Sequence, residues 1–274
     1  MPLSSIELAG ITKKLRRDAL AMITKAKNGH PGGSLSAMDL IAYLYFNEMK
    51  HDPKNPKNPN RDRFVLSKGH GVPALYAVLA ECGYFSKDLL KTFRQTDTLL
   101  QGHPANRLLG GIEASTGSLG QGLSVALGMA LASKLDKNNS YNVYAILGDG
   151  EMQEGQVWEA LMCAAHYKTD NLIVFVDRNN GQIDGLTDNV MAIEPLDKKC
   201  ESFGWHTLTI NGHDFDEIKG ALELAHKTKN QPTMIIAKTI KGKGVSFLEK
   251  DTVAWHGKAL SEQELELAFL ELGE

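Results

Sequence analysis

The 274-residue chain has the composition of an ordinary globular protein: 42% of its residues are hydrophobic, 23% are charged, and the formal net charge is −3. Because both signs of charge are mixed along the sequence, we expect no nucleic-acid or membrane partner. No apolar run reaches transmembrane length, and we expect no secretory signal. Three widely spaced cysteines without a CxxC motif predict neither a disulfide framework nor a zinc site, and favour the cytoplasm.

The first third of the chain is predicted to be mainly helical. Helical spacing of apolar residues covers residues 4–26, 36–49, 72–83 and 87–94. Residues 51–61, which are rich in Pro, Asn and Lys, predict a surface loop between the second and third of these helices.

Strands and helices alternate from residue 143 onward. Short β-branched or aromatic runs predict buried strands at residues 143–147, 172–176, 206–210 and 233–237. Helical spacing covers residues 156–167 and 214–229, and residues 260–272 predict a closing amphipathic helix. This alternation predicts an α/β fold with a doubly wound parallel sheet and helices on both faces. Because no linker-like segment divides the sequence, residues 1–274 are predicted to form a single domain.

Polar residues follow two of the predicted strands. Gly148-Asp149-Gly150 follows the first, and Asn179 lies 30 residues beyond Asp149, at the end of the next strand. Both should reach the carboxyl edge of the sheet, where open α/β sheets bind ligands. The Asp149 carboxylate, the Asn179 amide oxygen and the Gly181 carbonyl would leave about half of an octahedral Mg²⁺ shell for phosphate oxygens and water. Gly148 and Gly150 would let backbone N–H groups approach a diphosphate. A simple tight turn is the alternative for an isolated Gly-Asp-Gly.

Five of the nine histidines lie beside Gly or Pro in segments predicted to be loops: His30, His70, His103, His213 and His256. One such histidine usually faces solvent or caps a turn, which is our interpretation of His213. Several together indicate proton transfer near neutral pH. The remaining histidines are predicted to be surface or packing residues: His51, His166, His206 and His226.

The Gly-Asp-Gly and Asn pairing resembles the thiamine-diphosphate motif, in the form found in transketolases. Residues 148–160, GDGEMQEGQVWEA, carry this resemblance. Other segments match the transketolase family in the same order: GHPG at 29–32, LSKGH at 66–70, GHP at 102–104, TGSLGQG at 116–122, IDG at 183–185 and WHGK at 255–258. The resemblance covers nearly the whole chain and implies a thiamine-diphosphate-binding fold.

The resemblance implies a role for each matching residue. His30, His103 and His256 would contact sugar hydroxyls and the reacting carbonyl. The cofactor would be held by residues beside its diphosphate and aminopyrimidine: His70, Gly117, Ser118, Leu119, Gly150, Asn179, Lys241 and His256. Asp149, Asn179 and Gly181 would bind Mg²⁺, or Ca²⁺ or Mn²⁺ in its place. For Lys241 the alternative is a solvated loop lysine.

Two acidic residues after the motif are assigned by the same resemblance. Glu154 and Glu159 would lie at a subunit interface, in a carboxylate cluster that links two active sites. The alternative is an ordinary solvated helix face, where the carboxylates complement the helix dipole. Glu151, Glu154 and Glu159 all follow the Gly-Asp-Gly turn, which is expected to face the diphosphate and metal.

The resemblance also implies a second chain. In this family a glutamate beside N1′ of the aminopyrimidine lies in a separate pyrimidine domain, and 274 residues leave no room for that domain or the C-terminal domain. We therefore expect one subunit of a split, cytoplasmic transketolase of the pentose phosphate type, acting on sugars or sugar phosphates. Its partner would be a C-terminal subunit with the pyrimidine domain, in an α2β2 heterotetramer. The initial Met and the lack of a truncation scar favour a natural subunit over an excised domain.

Three functions stay open at this point. The first is transfer of a two-carbon ketol unit from a ketose to an aldose. The second is a related thiamine reaction, such as the synthesis of 1-deoxyxylulose 5-phosphate or a ketolase reaction on an unusual sugar. The third is a non-catalytic thiamine-diphosphate-binding protein. Gln153-Glu154-Gly155 together with Trp255-His256-Gly257 favours the first, and the intact Asp149, Asn179 and histidines count against the third.

Overall fold

A computed structural model describes residues 2–136 and 140–273 of the chain. Its main sheet has five parallel strands in the order β1-β2-β3-β7-β6, and β4 and β5 form a separate antiparallel pair. The strands are β1 Arg63–Leu66, β2 Val143–Gly148, β3 Leu172–Arg178, β4 Gly181–Gln182, β5 Gly185–Leu186, β6 His206–Asn211 and β7 Thr233–Lys238.

Ten α-helices surround this sheet in the described residues. They are α1 Ser5–Ala26, α2 Pro31–Tyr43, α3 Val72–Glu81, α4 Gln121–Leu135, α5 Gly155–His166, α6 Thr187–Val190, α7 Leu196–Ser202, α8 Phe215–Lys227, α9 Ser246–Lys250 and α10 Glu262–Leu272. Shorter 3₁₀ turns cover Gly69–Gly71, Lys87–Thr92 and Gly150–Gln153. None of the described helices combines the length and hydrophobicity needed to cross a membrane.

The sheet has a hydrophobic core on each face because successive strand residues point to opposite sides. In β2, Tyr144 and Ile146 pack with α1, α2, α3 and α8, whereas Ala145 and Leu147 pack with α4, α5 and α7. A third cluster joins α1 and α2 to α9 and α10. The predicted doubly wound parallel sheet with helices on both faces is confirmed.

Side-chain caps mark the start of two helices. Ser4 accepts a hydrogen bond from the Glu7 amide while Glu7 bonds back to the Ser4 amide, which is a capping box at the start of α1. Asp214 caps α8 by accepting from two backbone amides. Cys200 is buried and Cys82 and Cys163 are half-buried, and all three thiols are free, as expected.

Some predicted elements were wrong or incomplete. The second helix begins at Pro31 rather than residue 36, because proline suits the first helical turn, and its last residues, Leu44–Glu48, form a π turn. Residues 87–94 form only the 3₁₀ turn Lys87–Thr92. Strand β1 and helix α4 had not been predicted: β1 has four residues, and the small and apolar residues of α4 show no clear stripe.

Candidate functional site

The predicted motif residues meet at the carboxyl edge of the sheet. Gly148 in β2 pairs with Asp177 in β3, so Asp149 and Asn179 follow at the same edge. A cavity of about 190 Å³ opens there. Its lining includes most of the predicted cofactor and metal residues: His70, Leu119, Asp149, Gly150, Glu154, Asn179, Gly181, Lys241 and His256, together with Gly33, Lys68, Gly148, Glu151, Gln153 and Gln182.

A larger cavity of about 470 Å³ lies next to this one, around Arg178 and Lys238. Its main charges already have partners, since the Arg178 guanidinium contacts Asp188 at 2.8 Å and Glu194 at 2.9 Å. None of the predicted histidines lines it. We therefore place the functional site in the smaller cavity.

The three predicted metal ligands, Asp149, Asn179 and Gly181, line the same cavity. Asp149 is 2% exposed; its Oδ2 accepts from the Asn180 amide at 2.5 Å, and its Oδ1 accepts from the Gly150 amide at 2.8 Å. Burial raises the pKa of Asp149, and so does the nearby Asp177, whereas the Asn180 amide and Arg178 oppose them. A cation at this carboxylate would favour its ionised form.

The donor set fits a hard divalent cation. The Gly181 carbonyl accepts a hydrogen bond from the Lys241 ammonium at 2.5 Å, so a positive charge already lies against one predicted ligand. A carbonyl oxygen has a second lone pair for another cation. At Gly148 an added Cβ would meet nothing closer than 3.8 Å, so there is open space over the turn. Carboxylate, amide and carbonyl oxygens are the ligands that Mg²⁺ and Ca²⁺ prefer.

The turn glycines do not present free amides as predicted. The Gly148 amide donates to Glu151 at 3.0 Å, and the Gly150 amide donates to Asp149. Neither glycine has a positive φ, and after the turn the chain forms a 3₁₀ turn before α5 begins at Gly155. Glycine at these positions therefore leaves room above the backbone rather than allowing an unusual conformation.

Two buried lysines supply positive charge to the cavity. Lys241 is 1% exposed, which excludes the solvated loop lysine that was the alternative. Burial lowers the pKa of Lys241 to about 8, and the positive charge of Lys68 adds to this effect. Lys68, which the sequence had not singled out, contacts Asp177 Oδ2 at 2.5 Å and donates to the Gly33 carbonyl. An anion at the cavity would face both ammonium groups.

Asp177 is a second residue that sequence reasoning missed. It is fully buried and accepts hydrogen bonds from Ser36, Thr239 and the Asn179 amide nitrogen. Because the Asn179 nitrogen donates to Asp177, its oxygen faces the other side, where it accepts from the Gly181 amide at 3.1 Å and keeps a second lone pair. A buried aspartate at the end of a strand, two residues before the predicted ligand, was the signal that could have indicated it.

Four of the five selected histidines form one cluster. The His30 ring centroid lies 5.2 Å from that of His70, 5.6 Å from that of His256 and 6.4 Å from that of His103. His30 lies in the connection before α2, as its N-cap residue, whereas His70 lies in a 3₁₀ turn rather than in the predicted loop. The Nδ1 atom of His30 is buried without a hydrogen-bond partner. The tertiary fold thus brings together the residues predicted to contact sugar and cofactor.

The cluster favours neutral imidazoles. Burial lowers the pKa of His30 to about 4 and that of His256 to about 3, with further lowering by cations that include Arg94 for His30 and Lys241 for His256. The pKa values of His70 and His103 are also lowered, mainly by burial. A neutral imidazole can accept a proton at one ring nitrogen and donate a hydrogen bond from the other, whereas a protonated imidazole can only donate.

The loop predicted to hold the aminopyrimidine lies beside this cluster. Gly117 has a φ of 138°, and an added Cβ would lie 2.8 Å from the His103 ring, so only glycine fits there. Leu119 lines the cavity, whereas Ser118 is exposed. Glu151 is buried and lines the cavity, and its carboxylate accepts from Ser67 and from the Gly120 amide, so it anchors this loop to the Gly-Asp-Gly turn.

Glu154 and Glu159 are both exposed. Glu154 also lines the cavity. Exposure is compatible with both the predicted subunit interface and a solvated helix face, so the interface assignment stays a prediction.

His213 does not simply cap a turn, as had been predicted. Its backbone amide donates to the Asn211 side chain, but its ring is largely buried. The ring contacts Asp39 through Nδ1 and accepts from the Ile240 amide through Nε2. The other four histidines pack at the surface or bond to neighbours, as predicted: His51, His166, His206 and His226.

We expect acidification to destabilise the chain partly through His256. Its pKa in the fold, about 3, lies below the ordinary value of 6.5, so its stabilising contribution is present above pH 6.5 and is lost as the pH falls towards 3. Replacing it by Asn should therefore reduce the loss of melting temperature between about pH 7.5 and about pH 5.

His226 provides a control of opposite sign. Its hydrogen bond to Glu48 raises its pKa, so its contribution is present below pH 6.5 and is lost as the pH rises above the folded-state pKa. His226→Asn should therefore cost more stability in acid than at neutral pH. An unchanged pH dependence of melting in His256→Asn would contradict the prediction for the cluster.

Comparisons with known proteins give concordant matches. A family model described as the transketolase thiamine-diphosphate-binding domain matches residues 9–273. The chain is 48% identical, over 97% of its length and 96% of the relative, to a 6-deoxy-6-sulfo-D-fructose transketolase subunit of Clostridium sp. (strain MSTE9). It is 40% identical, over its whole length and 96% of the relative, to one of the subunits of the apulose-4-phosphate transketolase of Phocaeicola vulgatus.

Solved structures of longer proteins share this fold. The transketolase of Campylobacter jejuni superposes with a TM-score of 0.91 at 37% identity, and that of Leishmania mexicana with 0.90 at 33% identity. Each comparison covers 100% of this chain, but only 43% and 42% of the respective longer chains.

Proposed function

This chain belongs to the transketolase family, as a subunit with the thiamine-diphosphate-binding domain, and we propose that it binds the cofactor through Mg²⁺ and acts with a second chain. The observation that carries the proposal is one cavity lined by Asp149, Asn179, Gly181, two buried lysines, His70 and His256, with the His30 ring packed against both of these histidines. Bound thiamine diphosphate supplies a carbanion equivalent that adds to sugar carbonyls.

The metal and lysines would hold the diphosphate. Asp149, Asn179 and Gly181 would bind Mg²⁺, or Ca²⁺ or Mn²⁺, which neutralises phosphate oxygens. Lys241 and Lys68 would add positive charge from the cavity wall, where burial strengthens electrostatic attraction. Asp177 would keep the Asn179 oxygen directed towards the metal, since it holds the amide nitrogen at 3.1 Å.

The histidines would transfer protons to and from the sugar oxygens or hydrogen-bond to them. His30, His103 and His256 are neutral near pH 7 because their pKa values are lowered. His30 and His103 can therefore accept a proton from a hydroxyl or donate a hydrogen bond to an alkoxide. His256 Nδ1 lies 2.8 Å from the Lys241 ammonium, which can only donate. That contact leaves the Nε2–H of His256 free to point at a substrate oxygen.

The partner is proposed to be a chain with the pyrimidine domain, in an α2β2 assembly. The two curated relatives described above are named as subunits, and the longer transketolases are more than twice the length of this chain. Glu154 and Glu159 are exposed and available for an interface. A single domain spanning residues 1–274, a cytoplasmic location and a role of the pentose phosphate type belong to the same proposal.

We propose that the donor is a ketose carrying a strongly acidic group. The names of two relatives specify a sulfonated fructose and a phosphorylated sugar. To test this, the complex of the chain with its partner would be assayed with sulfofructose, apulose 4-phosphate and xylulose 5-phosphate as donors and ribose 5-phosphate as acceptor. Two-carbon transfer from at least one donor is expected. A complex that binds thiamine diphosphate but transfers no ketol unit would exclude this substrate class.

The histidine assignment predicts a loss of activity without a loss of folding. His30→Ala, His103→Ala and His256→Ala should each lower kcat/KM of the complex about 100-fold, the usual size of an acid–base contribution, while melting temperatures at neutral pH stay near wild type. His206→Ala is the control, because His206 begins β6 at the opposite edge of the sheet and bonds to Thr228. Variants that melt early but retain activity per folded molecule would show a structural role instead.

A further inference from the structure

His213 lies outside the cavity but is tied to its wall. It follows β6, its side chain is 10% exposed, and its ring makes two hydrogen bonds. Neither partner of the ring belongs to the turn that His213 was expected to cap: one is Asp39 in α2 and the other is the Ile240 amide, just after β7. A largely buried histidine with two distant partners needs an explanation other than turn capping.

A buried ion pair between Arg16 and Asp39 contacts the Nδ1 side of the His213 ring. Arg16 in α1 donates to both carboxylate oxygens of Asp39, at 3.0 and 2.7 Å, and both side chains are 6% exposed. Burial raises the pKa of Asp39, but the Arg16 charge and the hydrogen bond from His213 outweigh it and hold the value at about 2. Asp39 is therefore an anion that accepts from His213 Nδ1 at 2.6 Å.

The Ile240 amide fixes the state of the ring. A backbone N–H can only donate, so His213 Nε2, at 2.8 Å, must be the acceptor. The ring proton then lies on Nδ1 and points at Asp39. Arg16, Asp39 and His213 together form a relay in which each hydrogen bond orients the next group.

The relay ends one residue from a cavity lysine. Thr239 donates to Asp177, and Lys241 donates to the Gly181 carbonyl and contacts His256 Nδ1. The Ile240 amide lies between these two anchored side chains. The Gly242 amide donates to the Gly32 carbonyl, so the backbone just beyond is also fixed.

We propose that His213 is a positioning residue: the relay fixes the Ile240 amide and so places Lys241 against the Gly181 carbonyl and the phosphate groups of the cofactor. This role rests on the proposed thiamine-diphosphate site. Polar groups that hydrogen-bond to metal-binding or cofactor-binding residues fix the orientation of those residues. Removing such a polar group lowers affinity about 10–100-fold.

Three substitutions separate the two hydrogen bonds of the ring. His213→Phe removes both of them. His213→Gln places an acceptor near the position of Nε2 and can restore the bond from the Ile240 amide. His213→Asn places a donor near Nδ1 and restores only the contact to Asp39. If the Ile240 bond is the one that matters, Gln should rescue and Asn should not.

The affinity for thiamine diphosphate at saturating Mg²⁺ would be measured by calorimetry on the complex with the partner subunit. We expect the Kd to rise about tenfold or more in His213→Phe and His213→Asn, and to return to within about threefold of wild type in His213→Gln. The kcat at saturating cofactor should change less than the cofactor KM. In ¹⁵N spectra of the chain, the Ile240 amide should lose its hydrogen-bonded shift in the Phe variant and regain it in Gln.

His51→Phe is the matched control for loss of a packed histidine. Its ring also makes two hydrogen bonds, to Tyr84 and to the Tyr45 carbonyl, and it precedes β1 at the opposite edge of the sheet. It should lower the melting temperature without changing the cofactor Kd. Wild-type cofactor affinity in His213→Phe would overturn the inference. So would a loss of cofactor affinity that His213→Gln does not rescue and that only parallels a fall in melting temperature like that of His51→Phe. Absence of cofactor binding by the wild-type complex would instead refute the proposed function.

Discussion

The purified chain, supplied with Mg²⁺ and thiamine diphosphate, is expected to show no transketolase turnover. The family resemblance implies that bound thiamine diphosphate would need a carboxylic acid held beside N1′ of its aminopyrimidine. Of the acids predicted to follow the Gly-Asp-Gly turn, Glu151 is buried and already accepts from Ser67 and two backbone amides. Glu154 and Glu159 are exposed. None of these three carboxylates is both free and enclosed beside the predicted pyrimidine loop at Gly117.

Solvent is the second reason for inactivity. Leu119 is half-exposed and Ser118 is exposed, so a pyrimidine ring held there would face water in the single chain. Water weakens the fixed dipoles of a site and protonates carbanions. Val125 in α4 and Met162 in α5 are 40% and 60% exposed, and these two helices contact each other, so a partner that covered them would bury apolar side chains.

The measurement is a titration of the chain with a subunit that carries the pyrimidine domain. Transfer from xylulose 5-phosphate to ribose 5-phosphate should appear only with both chains and saturate at equal amounts. Alanine at the glutamate of the partner subunit that faces N1′ should abolish it. Turnover by this chain alone at an enzymatic rate of about 1 s⁻¹ or more would refute the need for a second chain.

Asp149→Ala is expected to weaken Mg²⁺-dependent binding of thiamine diphosphate about 100-fold or more. This exceeds the effect of replacing a residue that only hydrogen-bonds to a metal ligand, which lowers affinity about 10–100-fold. Asp149 is the charged member of the proposed ligand set, beside the neutral oxygens of Asn179 and Gly181. Without it, phosphate repulsion is poorly neutralised. Asn179→Ala should act in the same direction but less strongly, because it removes a neutral ligand.

The fold should survive this change. Arg178, which contacts Asp149 at 3.2 Å, keeps its contacts to Asp188 and Glu194. Asp188→Asn is the matched control, since this half-exposed carboxylate contacts the same guanidinium but is not a proposed ligand. Calorimetry on the complex should show a loss in Asp149→Ala and near wild-type affinity in Asp188→Asn. Equal affinities in the two variants would contradict the metal assignment.

The sequence alone predicted the sheet, the family and several of the residues that meet at the carboxyl edge of the sheet. Continuous β-branched runs marked β2, β3 and β7, because strands covered on both faces are apolar throughout. Strand β6 was also predicted to be buried, but it lies at the sheet edge and most of its residues are half-exposed or exposed. The spacing from Asp149 to Asn179 matched one crossover, so the two residues had to reach the same edge. Short or weakly patterned elements were missed: β1 has four residues, and α4 is rich in Gly, Ala and Ser without a clear apolar stripe.

Only the tertiary structure decided which polar residues support the site. Lys68 and Asp177 are 109 positions apart and Asp39 and His213 are 174 apart, and no local pattern links such distant residues. The hydrogen bonds of Glu151 to Ser67 and to the Gly120 amide were not predicted, because these partners come from other elements. Local sequence specifies backbone periodicity and turn chemistry, whereas the hydrogen-bond partner of a buried polar group is set by whichever element packs against it.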